Sequence, residues 1–339
     1  MSRSSHPSRR ALLAVAPLAA AAAPLAAAAA PALAAEVLPA GALKGRSVLI
    51  TGASSGFGRL TALHLAGLGA HVIASMRNLQ GGRRPEAVSL KSEAGGLPGR
   101  LDLVEIDVTR PEQVAAGVAE AERLAGGGLD VLVSNAGIGL SGPLELHDEA
   151  AMEAEFQTNL LGGLRMARAV LPGMRARKAG LILPVSSQLG RIVMPNMGGY
   201  CSGKWGLEAA FEAMAYELAP LGVEVTIVQP GGYPTRIWET GAKAVEAMIA
   251  RNEPERVQAY AQHIAITRAS MTAPRRSDPM DVAHAIAALI ALPAGDRPLR
   301  RPVHPDTSVT TAVNKALSDV QDRVLSRGPY AAWRAAVSG

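Results

Sequence analysis

Four polar residues in the middle of the chain have the types and spacing that proton transfer to an oxygen requires. Tyr200 and Lys204 are four residues apart in a segment whose pattern predicts a helix, so their side chains share one face. Ser187 precedes the tyrosine, and Asn159 lies further upstream. A tyrosine can cycle between acid and anion on a substrate oxygen, and an adjacent lysine favours the anion. The set predicts acid/base chemistry at a substrate oxygen, with Tyr200 as the acid/base.

A glycine-rich turn precedes these residues in the chain. Residues 51–58 read TGASSGFG and connect an apolar run to a predicted helix. Glycines at such a turn let the backbone approach a pyrophosphate, which the free N–H groups at the start of the helix attract. A glycine triplet is weak by itself in a chain with 35 glycines. Its place between a strand and a helix predicts a dinucleotide site.

The elements that must position these residues alternate along the chain. Apolar runs predict buried strands at residues 47–50, 71–75, 101–106, 129–133, 181–185 and 223–228. Helix-length segments separate them, and strands that are apolar throughout indicate a parallel sheet covered on both faces. The predicted fold class is therefore α/β, a doubly wound parallel sheet in three αβα layers that forms a single domain.

The glycine spacing, Gly-x-x-x-Gly-x-Gly, resembles that of the short-chain dehydrogenase/reductase family, which has a Rossmann-type fold. Asp107 resembles the family's adenine-contacting acid, and Asn135-Ala136-Gly137 resembles its strand-stabilising motif. Pro230-Gly231 with Thr235 resembles its loop on the nicotinamide side. The four polar residues match the family's catalytic set in order and spacing. The resemblance covers roughly residues 45–293.

This resemblance implies an oxidoreductase that moves a hydride between a nicotinamide cofactor and a small-molecule carbonyl or alcohol. It implies that Lys204 bonds the nicotinamide ribose, that Ser187 hydrogen-bonds the substrate oxygen, and that Asn159 holds a proton-relaying water. The residues expected to contact the cofactor are Gly52, Ser54, Ser55, Gly56, Phe57, Gly58, Arg77, Asp107, Val108, Asn135, Ala136, Gly137, Tyr200, Lys204, Pro230, Gly231 and Thr235.

The end of the second predicted strand bears on the choice of cofactor. NAD-specific sites place a carboxylate there for the ribose 2′-hydroxyl. This chain has Arg77 at that place and no carboxylate from Ala53 until Glu86. An arginine can clamp a 2′-phosphate, so NADP(H) is preferred over NAD(H). A solvated surface arginine is the alternative, since Ser55 stands where family members often carry a second basic residue.

Residues 1–34 have the pattern of an export signal. Arg9 and Arg10 precede an uncharged run rich in alanine, which resembles signals of the twin-arginine pathway for folded proteins. A membrane anchor and a mis-assigned start in a cytoplasmic protein are the alternatives. Pro17, Pro24 and Pro31 make a poor spanning helix. We therefore expect an exported, periplasmic protein.

Composition narrows the remaining possibilities. Three arginines of the predicted signal supply three of the five net positive charges, and no dense basic stripe predicts nucleic-acid binding. The single cysteine, Cys201, excludes a multi-cysteine metal site, and we expect no metal. We assign residues 45–295 to the catalytic domain, with a substrate lid at 232–280, and residues 296–339 to a C-terminal extension.

Several features leave more than one interpretation. Large apolar side chains of the predicted lid either line an apolar pocket or form helix core: Trp238, Met248, Tyr260 and Met271. The arginine pairs at 275–276 and 300–301 either attract an acidic substrate or are solvated surface charge. A nucleotide-sensing or scaffold protein on the same fold, or an epimerase or dehydratase, is the rival function. By analogy with the family we expect a homodimer or homotetramer.

Overall fold

The computed structural model describes residues 38–337. The predicted export signal at 1–34 lies outside these residues. No helix between residues 38 and 337 combines the length and apolarity that a membrane crossing needs.

A six-stranded parallel sheet forms the centre of the molecule, with strand order β3-β2-β1-β4-β5-β6. The strands are β1 (Ser47–Ile50), β2 (His71–Met76), β3 (Arg100–Glu105), β4 (Val131–Ser134), β5 (Gly180–Pro184) and β6 (Val223–Val225). The order runs outward in both directions from β1 and β4, so the carboxyl ends of these two central strands meet at one edge. The predicted doubly wound α/β fold is confirmed.

The predicted strand at 223–228 is divided at Thr226 into β6 and β7 (Ile227–Pro230). Pairing to β5 continues across the division, because Thr226 N donates to Ile182 O at 3.0 Å and Ser186 N donates to Val228 O at 2.7 Å. On its other side β7 pairs in parallel with β8 (Arg300–Val303). This last strand lies within the segment that the sequence analysis assigned to the C-terminal extension.

Helices cover both faces of the sheet because side chains along each central strand alternate between the faces. Val48 and Ile50 pack with α1 (Gly56–Gly67), α2 (Pro85–Ala94) and α10 (Met280–Ala291). Leu49 packs on the opposite side in the cluster formed with α3 (Pro111–Ala125), α5 (Gly162–Arg177) and α6 (Gly198–Leu218). The short α4 (Glu149–Glu155) leads into α5 through a wider helical turn, Phe156–Leu161.

The predicted lid is helical and has a small core of its own. It contains α7 (Ile237–Ile249), α8 (Pro254–Ala259) and α9 (Ala261–Thr272). Met248 and Met271 are buried in a cluster with Leu140 and Leu146 from the loop after β4, and Trp238 and Tyr260 pack against it. Met248 and Met271 are therefore buried in helix core, whereas Trp238 and Tyr260 are partly buried at its edge, and Trp238 and Met271 also line a second cavity. After β8 the chain continues through α11 (Ser308–Leu325) and α12 (Ala331–Ala335).

A buried ion network joins β8 to α6. Arg300 Nε lies 2.9 Å from Glu208 Oε2, and Arg300 Nη2 also donates to Glu212. Arg191 contacts the same two carboxylates at 3.2 and 2.9 Å. The Arg300 side chain is only 9% exposed, so it is neither a solvated surface charge nor available to an acidic substrate.

Candidate active site

The glycine turn begins where β1 ends and is tied to the end of β4. Asn135 Nδ2 donates to Thr51 O at 2.8 Å, and Asn135 N and Ala136 N both donate to Thr51 Oγ1 at 2.9 Å. Gly52 has a φ of +70°, a conformation that favours glycine. A Cβ at Gly58 would lie 2.5 Å from both Asn135 Nδ2 and Gly52 O. Only glycine therefore fits at position 58, and the turn is held against the neighbouring strand.

A cavity of about 320 Å³ opens above this turn, at the carboxyl ends of the central strands. Fourteen of the seventeen residues predicted to contact a cofactor line its walls: Gly52, Ser54, Ser55, Gly56, Phe57, Arg77, Asp107, Val108, Asn135, Ala136, Gly137, Tyr200, Lys204 and Thr235. Gly58, Pro230 and Gly231 are not among the lining residues; Gly58 instead makes room for Asn135. The structure thus brings the separate sequence motifs to one cleft.

The cleft fits a dinucleotide in shape and in chemistry. Its floor is a turn in which a side chain at Gly52 would meet Ala136 Cα at 2.9 Å, and the amino end of α1 follows directly. This end of α1 has no acidic residue in its first turn and no side-chain cap, so its N–H groups are available to an anion. Asp107 also lines the cleft, and its Oδ1 accepts from Thr109 N and Thr109 Oγ1 at 3.0 and 2.7 Å.

Two arginines that the sequence analysis did not single out line the cavity beside Arg77. They are Arg84 and Arg236. Arg84 Nη1 donates to Arg77 O at 2.5 Å, and Arg84 Nε lies 2.9 Å from Glu86. Arg236 reaches Glu86 at 3.5 Å. Hydrogen bonding to Arg84 is the main reason that the pKa of Glu86 falls to about 2.

The position of Glu86 bears on the cofactor preference, because the sequence alone indicated no carboxylate near Arg77. Glu86 is close enough to hold two of the arginines, although it is nine residues from Arg77 in the chain. Its negative charge offsets part of the positive charge around the cavity. The arginine run at 83–84, just before the helix that follows β2, was the available sequence signal for a second cation here.

Tyr200 and Lys204 lie on the first two turns of α6 and both reach the cavity. Lys204 is 4% exposed, and its Nζ donates to Val185 O at 2.9 Å and lies 5.8 Å from the centre of the Tyr200 ring. Burial lowers the pKa of Lys204 to about 8, against the opposing charges of Glu155 and Glu208. A buried lysine with a pKa so near neutrality can change charge under ordinary conditions.

Ser187 follows β5 by three residues and lies next to Tyr200. Burial raises the pKa of the Tyr200 phenol, and a hydrogen bond with Ser187 acts in the opposite direction. The Ser187 hydroxyl also accepts from Leu189 N at 3.1 Å. Pro184 lies within β5 opposite Ser134, although proline has no N–H to donate to a neighbouring strand. Pairing continues past it, since Val185 N donates to Ser134 O at 3.0 Å.

Asn159 occupies the wider helical turn between α4 and α5. Its Oδ1 accepts from Ile138 N and its Nδ2 donates to Ile138 O, both at 2.9 Å. These two bonds fix the loop after β4, at the back of the cavity. A Cβ at Gly137 would lie 3.0 Å from Asn159 Oδ1 and 3.8 Å from Lys204 Nζ, so both groups approach the same glycine. Asn159 is therefore a neighbour of Lys204.

A buried carboxyl group that the sequence analysis did not identify lies behind Asn159. Glu155 is fully buried, and one of its oxygens accepts from Asn159 Nδ2. Burial raises its pKa to about 7, while the charge of Lys204 and the Asn159 hydrogen bond oppose the rise. The available signal was its position four residues before Asn159, on the same face of a predicted helix.

Comparison with known proteins identifies the family. A family model described as short chain dehydrogenase matches residues 46–246, more than half of the chain. Human 17-beta-hydroxysteroid dehydrogenase type 1 is 35% identical over 222 residues, which are 64% of this chain and 66% of the human protein. The alignment therefore spans just under two thirds of that relative's length.

Solved structures agree as well. A short-chain dehydrogenase/reductase from Burkholderia phymatum in complex with NAD aligns with a TM-score of 0.66 and 26% identity over 85% of this chain and 97% of its own. A metagenomic short-chain oxidoreductase in complex with NADP aligns with a TM-score of 0.61 and 26% identity over 78% and 99%. The resemblance carried by the glycine spacing is confirmed, and the chain belongs to the short-chain dehydrogenase family.

Proposed function

We propose that the protein is an NADP(H)-dependent oxidoreductase that interconverts a carbonyl and an alcohol, with Tyr200 as the acid/base. The observation that carries the proposal is that Tyr200 and Lys204 line the same cleft as the glycine turn, and Ser187 adjoins Tyr200. The test is NADPH oxidation with a panel of ketones and aldehydes. A nucleotide-sensing protein would bind NADPH without consuming it, and an epimerase or dehydratase would convert substrate without net oxidation.

The cleft residues divide the work between charge and proton transfer. A bound nicotinamide dinucleotide would supply or accept the hydride. In reduction, the Tyr200 hydroxyl gives its proton to the substrate oxygen, which gains negative charge at that moment. Ser187 donates a hydrogen bond to the same oxygen, and the Lys204 ammonium stabilises the phenolate that remains. In oxidation, the phenolate of Tyr200 takes the proton of the substrate hydroxyl. Each direction of the reaction therefore leaves Tyr200 in the protonation state that the opposite direction needs.

An apolar substrate suits the mouth of the cleft. Leu144, Val193 and Met194 are exposed apolar side chains on the segments that connect β4 to α4 and β5 to α6. Leu144 lies beside Gly198, two residues before Tyr200. The human relative is named for a hydroxysteroid, a bulky apolar alcohol. We therefore expect ketosteroids to be reduced with a higher kcat/KM than short polar ketones such as hydroxyacetone, and the reverse order would contradict the assignment.

The preference for NADP(H) rests on the cation at the end of β2. Arg77 lines the cleft, and Arg84 bonds its backbone oxygen. Charge-assisted pairing to a 2′-phosphate is worth roughly 1.5–3 kcal/mol, or about 10- to 100-fold in affinity. We expect Arg77→Asp to lower the affinity for NADPH by about that factor and to leave NADH binding equal or stronger.

The matched control is Arg83→Asp, because Arg83 is exposed on the same turn but does not line the cleft. Titration of NADPH and NADH by fluorescence compares both variants with the unchanged protein. An equal loss in the two variants would show that the general positive field, and not a clamp by Arg77, selects the cofactor.

The compartment and the assembly remain proposals. We propose export of the folded, nucleotide-loaded protein through the twin-arginine pathway, because the signal-like segment precedes a nucleotide fold. Periplasmic extract should contain a shortened chain that releases stoichiometric NADP(H) on denaturation, whereas a full-length chain found only in the cytosol would contradict export. We also propose a homodimer or homotetramer; a monomeric mass by light scattering would contradict it.

A further inference from the structure

Glu155 lies inside the protein without a complete set of partners. One carboxyl oxygen accepts from Asn159, but Oε2 has no hydrogen-bond partner within residues 38–337. A Cβ at Gly203 of α6 would lie 3.7 Å from Oε1, so nothing larger than a hydrogen stands between this carboxyl and the backbone of α6. The carboxyl group therefore faces the catalytic helix directly.

The titratable groups that face Glu155 are all on α6. They are Lys204, Tyr200 and Cys201, each of which feels its charge. Lys204 also feels Glu208, but that carboxylate contacts two arginines of its own, Arg191 and Arg300. Among residues 38–337 no cation lies within ion-pair distance of Glu155, and Lys204 is the cation whose charge acts on it. The two charges therefore influence each other without forming a direct ion pair.

A carboxyl group at this place is costly unless its charge is used. A buried acid with one unpaired oxygen loses its hydration, whereas an amide would keep the bond to Asn159 without a charge. We propose that Glu155 is the internal counter-charge of the Lys204 and Tyr200 pair, a positioning residue that keeps Lys204 protonated and sets the pH range of the reaction. This inference rests on the proposed oxidoreductase function.

The direction of the effect follows from the sign of the charge. A nearby anion stabilises the protonated form of every group that it faces, so Glu155 raises the pKa of both Lys204 and Tyr200. Removing the anion lowers both. Carbonyl reduction needs the protonated tyrosine, so the alkaline limb of its pH–rate profile then moves to lower pH. Alcohol oxidation needs the phenolate, so the acidic limb of its pH–rate profile also moves to lower pH.

The variant that isolates the charge is Glu155→Gln, because glutamine keeps the side-chain size and an oxygen that can accept from Asn159. We expect its profiles of kcat/KM against pH to move about one unit towards acid in both directions of reaction. Glu153→Gln is the matched control, since Glu153 is an exposed carboxylate on the same helix. Solvent screens its charge, and its profiles should stay in place.

Glu155→Asp separates charge from packing, because it keeps the anion and disturbs the fit. It should lower the rate without moving the profiles. Merely structural damage in Glu155→Gln would likewise lower the rate at every pH and leave the profiles in place, and that result would overturn the proposal.

A second measurement does not depend on activity. The carboxyl carbon of Glu155 can be followed by nuclear magnetic resonance in protein with carbon-13-labelled glutamate, and assigned by its loss in Glu155→Gln. We expect it to titrate well above an ordinary glutamate, and higher still in Lys204→Met, which removes the opposing cation. If the Glu155 carboxyl titrates like an ordinary glutamate and its titration is unchanged in Lys204→Met, the proposal is overturned even if the enzyme is active. Absence of any redox activity beside the coupled titration would instead count against the proposed function alone.

Discussion

Replacing Tyr200 by phenylalanine is expected to lower kcat for carbonyl reduction by about 10²- to 10⁴-fold, the usual contribution of a positioned acid/base. Phenylalanine removes one oxygen and leaves the ring in place beside Lys204. The substrate oxygen then loses the hydroxyl that the proposal assigns as its proton donor. The loss should appear in kcat, measured by steady-state NADPH oxidation, with little change in KM.

The control for this variant is a tyrosine away from the cleft. Tyr330 is exposed near the C-terminus, and Tyr330→Phe should leave kcat unchanged. NADPH titration of Tyr200→Phe should match that of the unchanged protein, and thermal unfolding should change only slightly, because one oxygen and its hydrogen bond with Ser187 are lost while the ring remains. If Tyr200→Phe kept more than a tenth of the rate, another group would have to move the proton, and the proposed role of Tyr200 would be wrong.

The sequence predicts the frame of this site well because the frame obeys simple periodic rules. Apart from Ser47 and Ser134 at their ends, the strands β1, β4 and β5 carry no polar side chain, as expected for central strands of a parallel sheet whose two faces are covered. Gly52 and Gly58 mark a turn where a side chain would collide with the backbone or with Asn135. Such constraints act at a single position, so the residue type itself records them.

Groups that act through tertiary contacts leave a weaker record. The strand β8 contains Arg300, Arg301 and Pro302, a composition that hides a strand at the edge of a sheet. Arg84 reaches the cavity only because the chain turns back after β2, and Glu86 then joins the same charge cluster. The carboxyl of Glu155 is significant only because the helix packs it against α6. The hydrophobic periodicity of one helix or strand does not specify which side chains of another element it will contact.

The ion network between β8 and α6 gives the largest expected effect on stability. Arg300→Met should lower the free energy of unfolding by roughly 3 kcal/mol at pH 8, because breaking a buried pair leaves a charge without its partner. Glu208 is fully buried. In the variant it would retain its ion pair with Arg191 and its hydrogen bond from Gln229 at 2.9 Å, but would lose its second arginine partner. Urea unfolding at fixed pH measures the difference.

The same variant has a pH dependence whose sign is fixed by Glu208. Burial raises the pKa of Glu208 in the folded protein to about 6, above the value of about 4.3 in an unfolded chain. Ionisation of such a group costs stability as the pH rises through that window, and losing Arg300 raises the pKa further. The deficit of Arg300→Met should therefore be smaller at pH 5, where Glu208 takes up a proton, than at pH 8.

The control is Arg123→Met, which removes an arginine from an exposed pair with Glu120 on α3. Solvent screens that pair, so little change in stability is expected at either pH. An equal deficit for Arg300→Met at pH 5 and pH 8 would mean that lost packing, and not the stranded charge of Glu208, accounts for the effect. If the loss of stability in Arg300→Met instead increases with pH, the charge interaction between Arg300 and α6 is what holds β8 beside β7.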